Sequence, residues 1–243
     1  MITERNWESL KAKQAELDKL IVKKSPIDLK WVSYSNAERL KLALLVEVGE
    51  FANEIKSFKA WRKQTEISWD KAKEELIDCL GYFLGLVNIY QIETDFSFVF
   101  PQRENLTKIR EGLETTKKKL ELEIKEKSQI EKFEASFNQK LTEIVSKIEN
   151  FNQLIYSQKD IPFNQLLLEF FYKTNDLYIA EITEFQAAEK TSAKKNLTTP
   201  LITYWLWLSI FNKLCEKLTI DEKELGKVYL DKNKINQQRA KAK

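Results

Sequence analysis

EELIDCLGYFLGLVN, residues 74–88, is the stretch from which the rest of this chain can be read. From Leu76 to Ile92 the only charged residue is Asp78, so the segment predicts a helix buried around most of its circumference. An ionised carboxylate in such surroundings is costly unless it is paired or metal-bound. Glu75 precedes Asp78 by three residues, and Glu47 and Glu50 repeat that spacing on an earlier predicted helix. Carboxylates three apart share one helical face, with Cβ atoms about 5 to 6 Å apart. The E-x-x-E and E-x-x-D pairs can therefore present several hard oxygen ligands to one or two divalent ions. One such pair, in a chain that is 32% charged, reads most simply as a solvated helix face. Two pairs, the second inside an apolar helix, favour the metal.

Outward from this stretch, chain-breaking residues are few. Five Gly and four Pro occur among 243 residues, so the helical patterns run with little interruption and the expected fold is all-α. The length allows one large domain or a core with an accessory lobe. The net charge of +3 is small, and basic residues are interleaved with acidic ones, which argues against a nucleic-acid partner. The chain has no His. That removes zinc-hydrolase sites, Ser-His-Asp triads and Glu-x-x-His di-iron bundles, and leaves an oxygen-only site suited to Mg²⁺ or Mn²⁺. Cys79 and Cys215 sit in apolar segments and read as reduced core residues, which points to the cytoplasm. The apolar stretches Leu76 to Ile92 and Leu197 to Phe211 fall short of the roughly 20 residues of a membrane span, so no membrane partner is expected.

Three regions follow. Residues 1–92 form core helices carrying the acidic pairs. Within them, Trp7, Leu10, Gln14, Leu17 and Ile21 recur at three and four over residues 4–23. Gln14 is thereby placed in the buried stripe with Asp18 one turn on, either as a satisfied core amide or as part of a hydrogen-bonding pair on a pocket wall. Ser35-x-x-Glu38 reads as a capping box opening a second helix with the apolar face Leu40, Leu44, Val48, Phe51, Ile55 and Phe58. Ser68 reads as the N-cap of the third. Gly81 and Gly85 are packing notches or places where a ligand comes close. Residues 93–160 are Lys/Glu-rich with sparse apolar positions and read as an inserted helical lobe, with a coiled coil as the alternative. Residues 161–243 complete the core, with helices expected over about 162–190 and 200–217. A capping box at Thr219-x-x-Glu222 then opens a last helix, on which Lys232, Asn236 and Arg239 share a face. That face could grip an anion or be a solvated tail.

Three motifs in this order resemble the dimeric, all-α dUTP diphosphatases of the all-α nucleoside triphosphate pyrophosphohydrolase superfamily. LLVEVGEFANEIKSFKAWRK (44–63) is similar to the family's E-x-x-E helix and F-K-x-W signature, residues 74–88 to its E-x-x-D helix, and VYLDKNKINQQR (228–239) to its C-terminal segment. QAELDKL (14–20) resembles a Q-x-x-L-N element. The resemblance implies a helical bundle core of the pyrophosphohydrolase type and a homodimer. It implies Mg²⁺-dependent hydrolysis of dUTP to dUMP and pyrophosphate, with two or three ions and Mn²⁺ as a substitute. Glu47, Glu50, Glu75 and Asp78 would be the metal ligands, Glu50 also orienting the attacking water. Lys59, Lys232, Asn236 and Arg239 would contact phosphates, and Gln14, Asp18, Trp61 and Asn88 the nucleoside. Asp18 departs from the family's Asn: it accepts hydrogen bonds where an amide can also donate. The base choice therefore stays open between dUTP (or dUDP) and dCTP or a non-standard nucleotide. A non-catalytic helical interaction protein is the rival from another class.

Overall fold

The apolar stretch around Asp78 becomes the central helix of the protein. A computed structural model describes residues 1–25, 30, 32–59, 61, 67–92, 142, 146, 149–151, 153, 160–177, 179 and 198–242, with backbone alone at 198–202. Six helices have described bounds: α1 (Glu4–Lys24), α2 (Tyr34–Ile55), α3 (Trp69–Ile89), α4 (Phe163–Asp176), α5 (Thr198–Lys217) and α6 (Glu222–Lys241). Among the described residues there is no strand, and the fold is all-α. No helix among them is long and apolar enough to cross a membrane. The lobe expected at 93–160 lies outside the described residues, apart from a few helical positions between 142 and 153.

α3 packs against α1, α2 and α6, and Phe83 carries it onto α5 by stacking on Trp207 at 3.9 Å between ring centroids. With neighbours on so many sides, an apolar surface all round is what burial requires. Leu76, Leu80, Phe83, Leu84, Leu86 and Val87 are buried, each worth about 1.5–3 kcal/mol by removal from water. α2 is α3's principal partner. It presents Leu40, Leu44, Val48, Phe51 and Ile55, all buried, at the expected helical spacing, whereas Phe58 lies beyond its end and is exposed. α4 bridges α2 and α5, with Phe170 between Phe51 and Trp207. Trp207 Nε1 donates to Thr174 Oγ1 at 2.9 Å, which leaves that buried indole satisfied.

The helix starts differ in detail from the sequence expectation. α2 is capped by Ser33, whose Oγ accepts from Asn36 N at 3.1 Å, so Ser35 lies inside the helix. α6 is capped by Asp221, accepting from Glu224 N at 2.7 Å; Thr219 instead takes a left-handed φ of 57° at the preceding turn. In both cases another capping oxygen two residues away competed for the same role. Ser68 does precede α3, without a side-chain cap bond. α4 stops at Asp176 instead of running to about 190. Its last carbonyls are taken by Lys41 Nζ, which donates to Asn175 O at 2.7 Å and Leu177 O at 2.8 Å, a cation at a helix C-terminus. The N-terminal segment closes on α5 and the turn after it: Ile2 N donates to Asn212 Oδ1 at 2.7 Å, Asn212 Nδ2 returns a bond to Ile2 O at 3.1 Å, and the terminal amine reaches Ile220 O at 3.0 Å. Cys79 and Cys215 are free and buried.

Candidate active site

The pairing of α2 with α3 brings the two acidic motifs together. One carboxylate oxygen from each of Glu47, Glu75 and Asp78 lies within 4.8 Å of the others, close enough for a single cation to meet all three. Glu50 is exposed and outside that triplet, yet near enough that its charge acts on all three members. Burial and then the charges of Asp78, Glu50 and Glu75 push the Glu47 carboxyl up to about 7. Burial, with Asp78's charge behind it, raises Glu75 as well. Asp78 is raised by burial in spite of the hydrogen bond it accepts from Lys232. Three carboxylates held up in this way form a site short of positive charge, and an all-oxygen donor set of this kind suits a hard divalent ion.

The countercharge in this structure is Lys232, projected from α6. Its Nζ donates to Asp78 Oδ2 at 2.5 Å and lies 3.8 Å from Glu74. Burial alone would lower this ammonium; the bond to Asp78 and the surrounding carboxylates raise it on balance. A cleft of about 360 Å³ opens here, lined by Glu47, Asp78 and Lys232 and, further along α6, by Asn236 and Arg239. The face of α6 that carries Lys232, Asn236 and Arg239 therefore lines the same cavity as Glu47 and Asp78.

α1 and α6 close the other side of that cleft. Tyr229 donates its hydroxyl to Gln14 Oε1 at 2.7 Å, and Gln14 Nε2 donates to Asp18 Oδ1 at 2.7 Å. Gln14 and Asp18 are thus both core residues and cleft residues. Burial raises the Asp18 carboxyl to about 7, against the Gln14 bond and the charge of Arg39. Gly81 packs against Gln14, where a Cβ would stand 3.4 Å from Oε1, an ordinary contact.

Three expected site residues lie elsewhere. Lys59, past the end of α2, donates to Asn53 Oδ1 at 2.7 Å and sits over the Phe58 ring. Trp61 is 80% exposed. Asn88 ties α3 to α1 by donating to Lys11 O at 3.0 Å. None of the three lines the cleft. Conversely, Arg39 and Tyr82 line it and were not singled out from sequence. Spacing alone does not single them out: Arg39 precedes Glu47 by eight residues and Tyr82 follows Asp78 by four, as many solvated or core residues of a helix do. A family model described as dUTPase matches residues 6–243. No curated protein and no solved structure matches the chain.

Proposed function

This chain belongs to the all-α dUTPase family, and from that membership we propose that it hydrolyses dUTP to dUMP and pyrophosphate with Mg²⁺ as its resident cation. The observation that carries the proposal is the meeting of Glu47, Glu75 and Asp78 oxygens within 4.8 Å, two of these residues, Glu47 and Asp78, lining a cleft with Lys232, Asn236 and Arg239. Glu47, Glu50, Glu75 and Asp78 would hold the cations, two or three in number, with Mn²⁺ able to replace Mg²⁺. Bound there, the ions supply Lewis acidity to the phosphate chain and to the attacking water.

The chain's own residues supply the rest. Glu50, solvent-facing beside the cluster, orients the water and accepts its proton. Lys232 neutralises Asp78 before substrate arrives and turns to phosphate oxygen once that carboxylate is engaged. Asn236 and Arg239, one and two turns further along α6, donate to the leaving pyrophosphate, Arg239 with the bidentate fork that phosphate favours. Gln14 and Asp18 face the nucleoside. The roles that the resemblance gives Lys59, Trp61 and Asn88 find no support in the cleft and are not carried into the proposal.

A homodimer is part of the same reading. What supports it is an apolar band across α2 and α4, where Leu42, Val46, Leu168 and Tyr172 are each more than half exposed beside a mostly apolar hollow. Large exposed apolar patches mark interaction surfaces. The activity is tested by incubating dUTP with the protein and Mg²⁺ and separating the products. Equal amounts of dUMP and pyrophosphate are expected; dUDP with orthophosphate would overturn the reading.

A further inference from the structure

One cation in the cleft already sits against the acidic cluster. Lys232 Nζ donates to Asp78 Oδ2 at 2.5 Å and stands 3.8 Å from Glu74 Oε2, and its charge also acts on Glu47 and Glu75. Among the described residues no other Lys or Arg forms an ion pair with Glu47, Glu75 or Asp78. Arg39, in the same cleft, is committed to Asn36, giving two N–H groups to its Oδ1 at 3.2 and 2.8 Å. The Lys232 bond is not what fastens α6 to the fold. That helix is tied by Tyr229 to Gln14 at 2.7 Å, by Asn233 to Lys13 O at 3.3 Å and by Glu224 to Lys73 at 2.7 Å, and Leu225 and Tyr229 are buried. The ammonium can therefore leave Asp78 while the helix stays docked, and its side chain, 26% exposed, is not locked in the core.

We propose that Lys232 is a built-in countercation that competes with the divalent ion for Asp78, so that the acidic cluster admits metal only as this ammonium lets go. This rests on the hydrolase reading above and deepens it, from the holding of ions to the control of their entry. Carboxylate oxygens of Glu47, Glu75 and Asp78 within 4.8 Å of one another repel, and a positive charge beside them offsets that repulsion in the folded chain. A dication and an ammonium set against one carboxylate repel each other in turn, and more strongly because Asp78 and Lys232 are both largely withdrawn from water. Either occupant thus disfavours the other. Lysine suits the part, being a compact point charge on a flexible four-carbon stem, and phosphate oxygens of a ligand in the same cleft are acceptors to which it can turn. A tie that served only to position α6 would make the opposite prediction, since its loss would leave the cluster less well ordered and its hold on an ion weaker or unchanged.

The experiment is calorimetric titration of Mn²⁺, without nucleotide, into the parent protein, Lys232→Met and Lys232→Arg, with circular dichroism to confirm unchanged helix. Lys232→Met should bind Mn²⁺ about tenfold or more tighter than the parent, the worth of one hydrogen bond between charged groups. Lys232→Arg keeps the positive charge and should gain much less. If Lys232→Met does not fold, Lys232→Gln carries the same expected gain. Equal or weaker binding by the uncharged variant overturns the inference, as does an equal gain in Lys232→Arg; a parent that binds Mn²⁺ then leaves the cation site and the hydrolase reading standing. Uptake of Mn²⁺ by none of the proteins overturns both. Pyrophosphate release from dUTP by the parent, followed in parallel, separates them further: tighter binding in the uncharged variant without release leaves the competition standing and overturns the hydrolase reading.

Discussion

Asp18→Asn in the absence of nucleotide and metal tests whether the buried carboxyl is a liability built into the fold. Its folded-state value is raised from 3.8 to about 7, chiefly by burial. At about 1.4 kcal/mol per pKa unit this corresponds to about 4 kcal/mol of destabilisation once the group is fully ionised. The sign follows from proton linkage: the folded state binds this proton more tightly than the unfolded chain, so stability is lost as pH rises from the unfolded value towards the folded one, and the loss levels off above it. Asparagine keeps the acceptor for Gln14 Nε2 and carries no charge. Its advantage over the parent should therefore be about 1 kcal/mol at pH 4.5 and grow to about 4 kcal/mol at pH 8. Urea unfolding of both proteins at the two pH values reads the difference directly, and other titrating groups cancel because both proteins carry them. An advantage of equal size at both pH values would show that the buried Asp18 charge does not set this stability, and so would a variant less stable than the parent at pH 8.

Asn212→Ala removes both buried hydrogen bonds to Ile2 and should cost about 2 to 3 kcal/mol in urea unfolding; an unchanged midpoint would show that the N-terminal segment is not held this way. Protons compete with cations at Glu47, whose carboxyl sits at about 7, and at the raised Glu75 and Asp78. Mg²⁺ affinity should therefore rise at least about tenfold between pH 6 and pH 8, and calorimetric titrations that give one affinity at both would count against the cluster as the site. Leu168→Lys places a charge in the exposed apolar band of α2 and α4, and light scattering should then report a monomer with helical content retained, where the parent is a dimer. A parent that is already monomeric would remove the dimer from the account.

Much of the fold could be read directly because periodicity and burial agree. The stripe Leu40, Leu44, Val48, Phe51, Ile55 is the buried face of α2, and the near-continuous apolar run of α3 reflects a helix with neighbours on most sides. Helix ends were read less well, because several capping oxygens lie within two residues of one another at Ser33/Ser35 and at Thr219/Asp221, and only tertiary context selects between them. The end of α4 depended on Lys41, more than a hundred residues away in sequence, which local pattern cannot reveal. In the site, the meeting of Glu47, Glu75 and Asp78 was legible from two i,i+3 pairs on adjacent helices. Arg39 was not, since one Arg on a charged helix looks like any solvated residue until the packing of α1 and α6 encloses it. Tyr82 was hidden for the opposite reason, being one more aromatic in a buried helix.

The proposed hydrolysis depends first on the acidic cluster being a cation site. Calorimetric titration of Mn²⁺ into the parent protein and into Asp78→Asn, with circular dichroism to confirm unchanged helix, measures this without relying on turnover. The parent should bind Mn²⁺ in competition with Mg²⁺, and the variant should lose about tenfold or more in affinity. A parent that takes up no Mn²⁺, or a folded variant that binds it as tightly, would contradict the account.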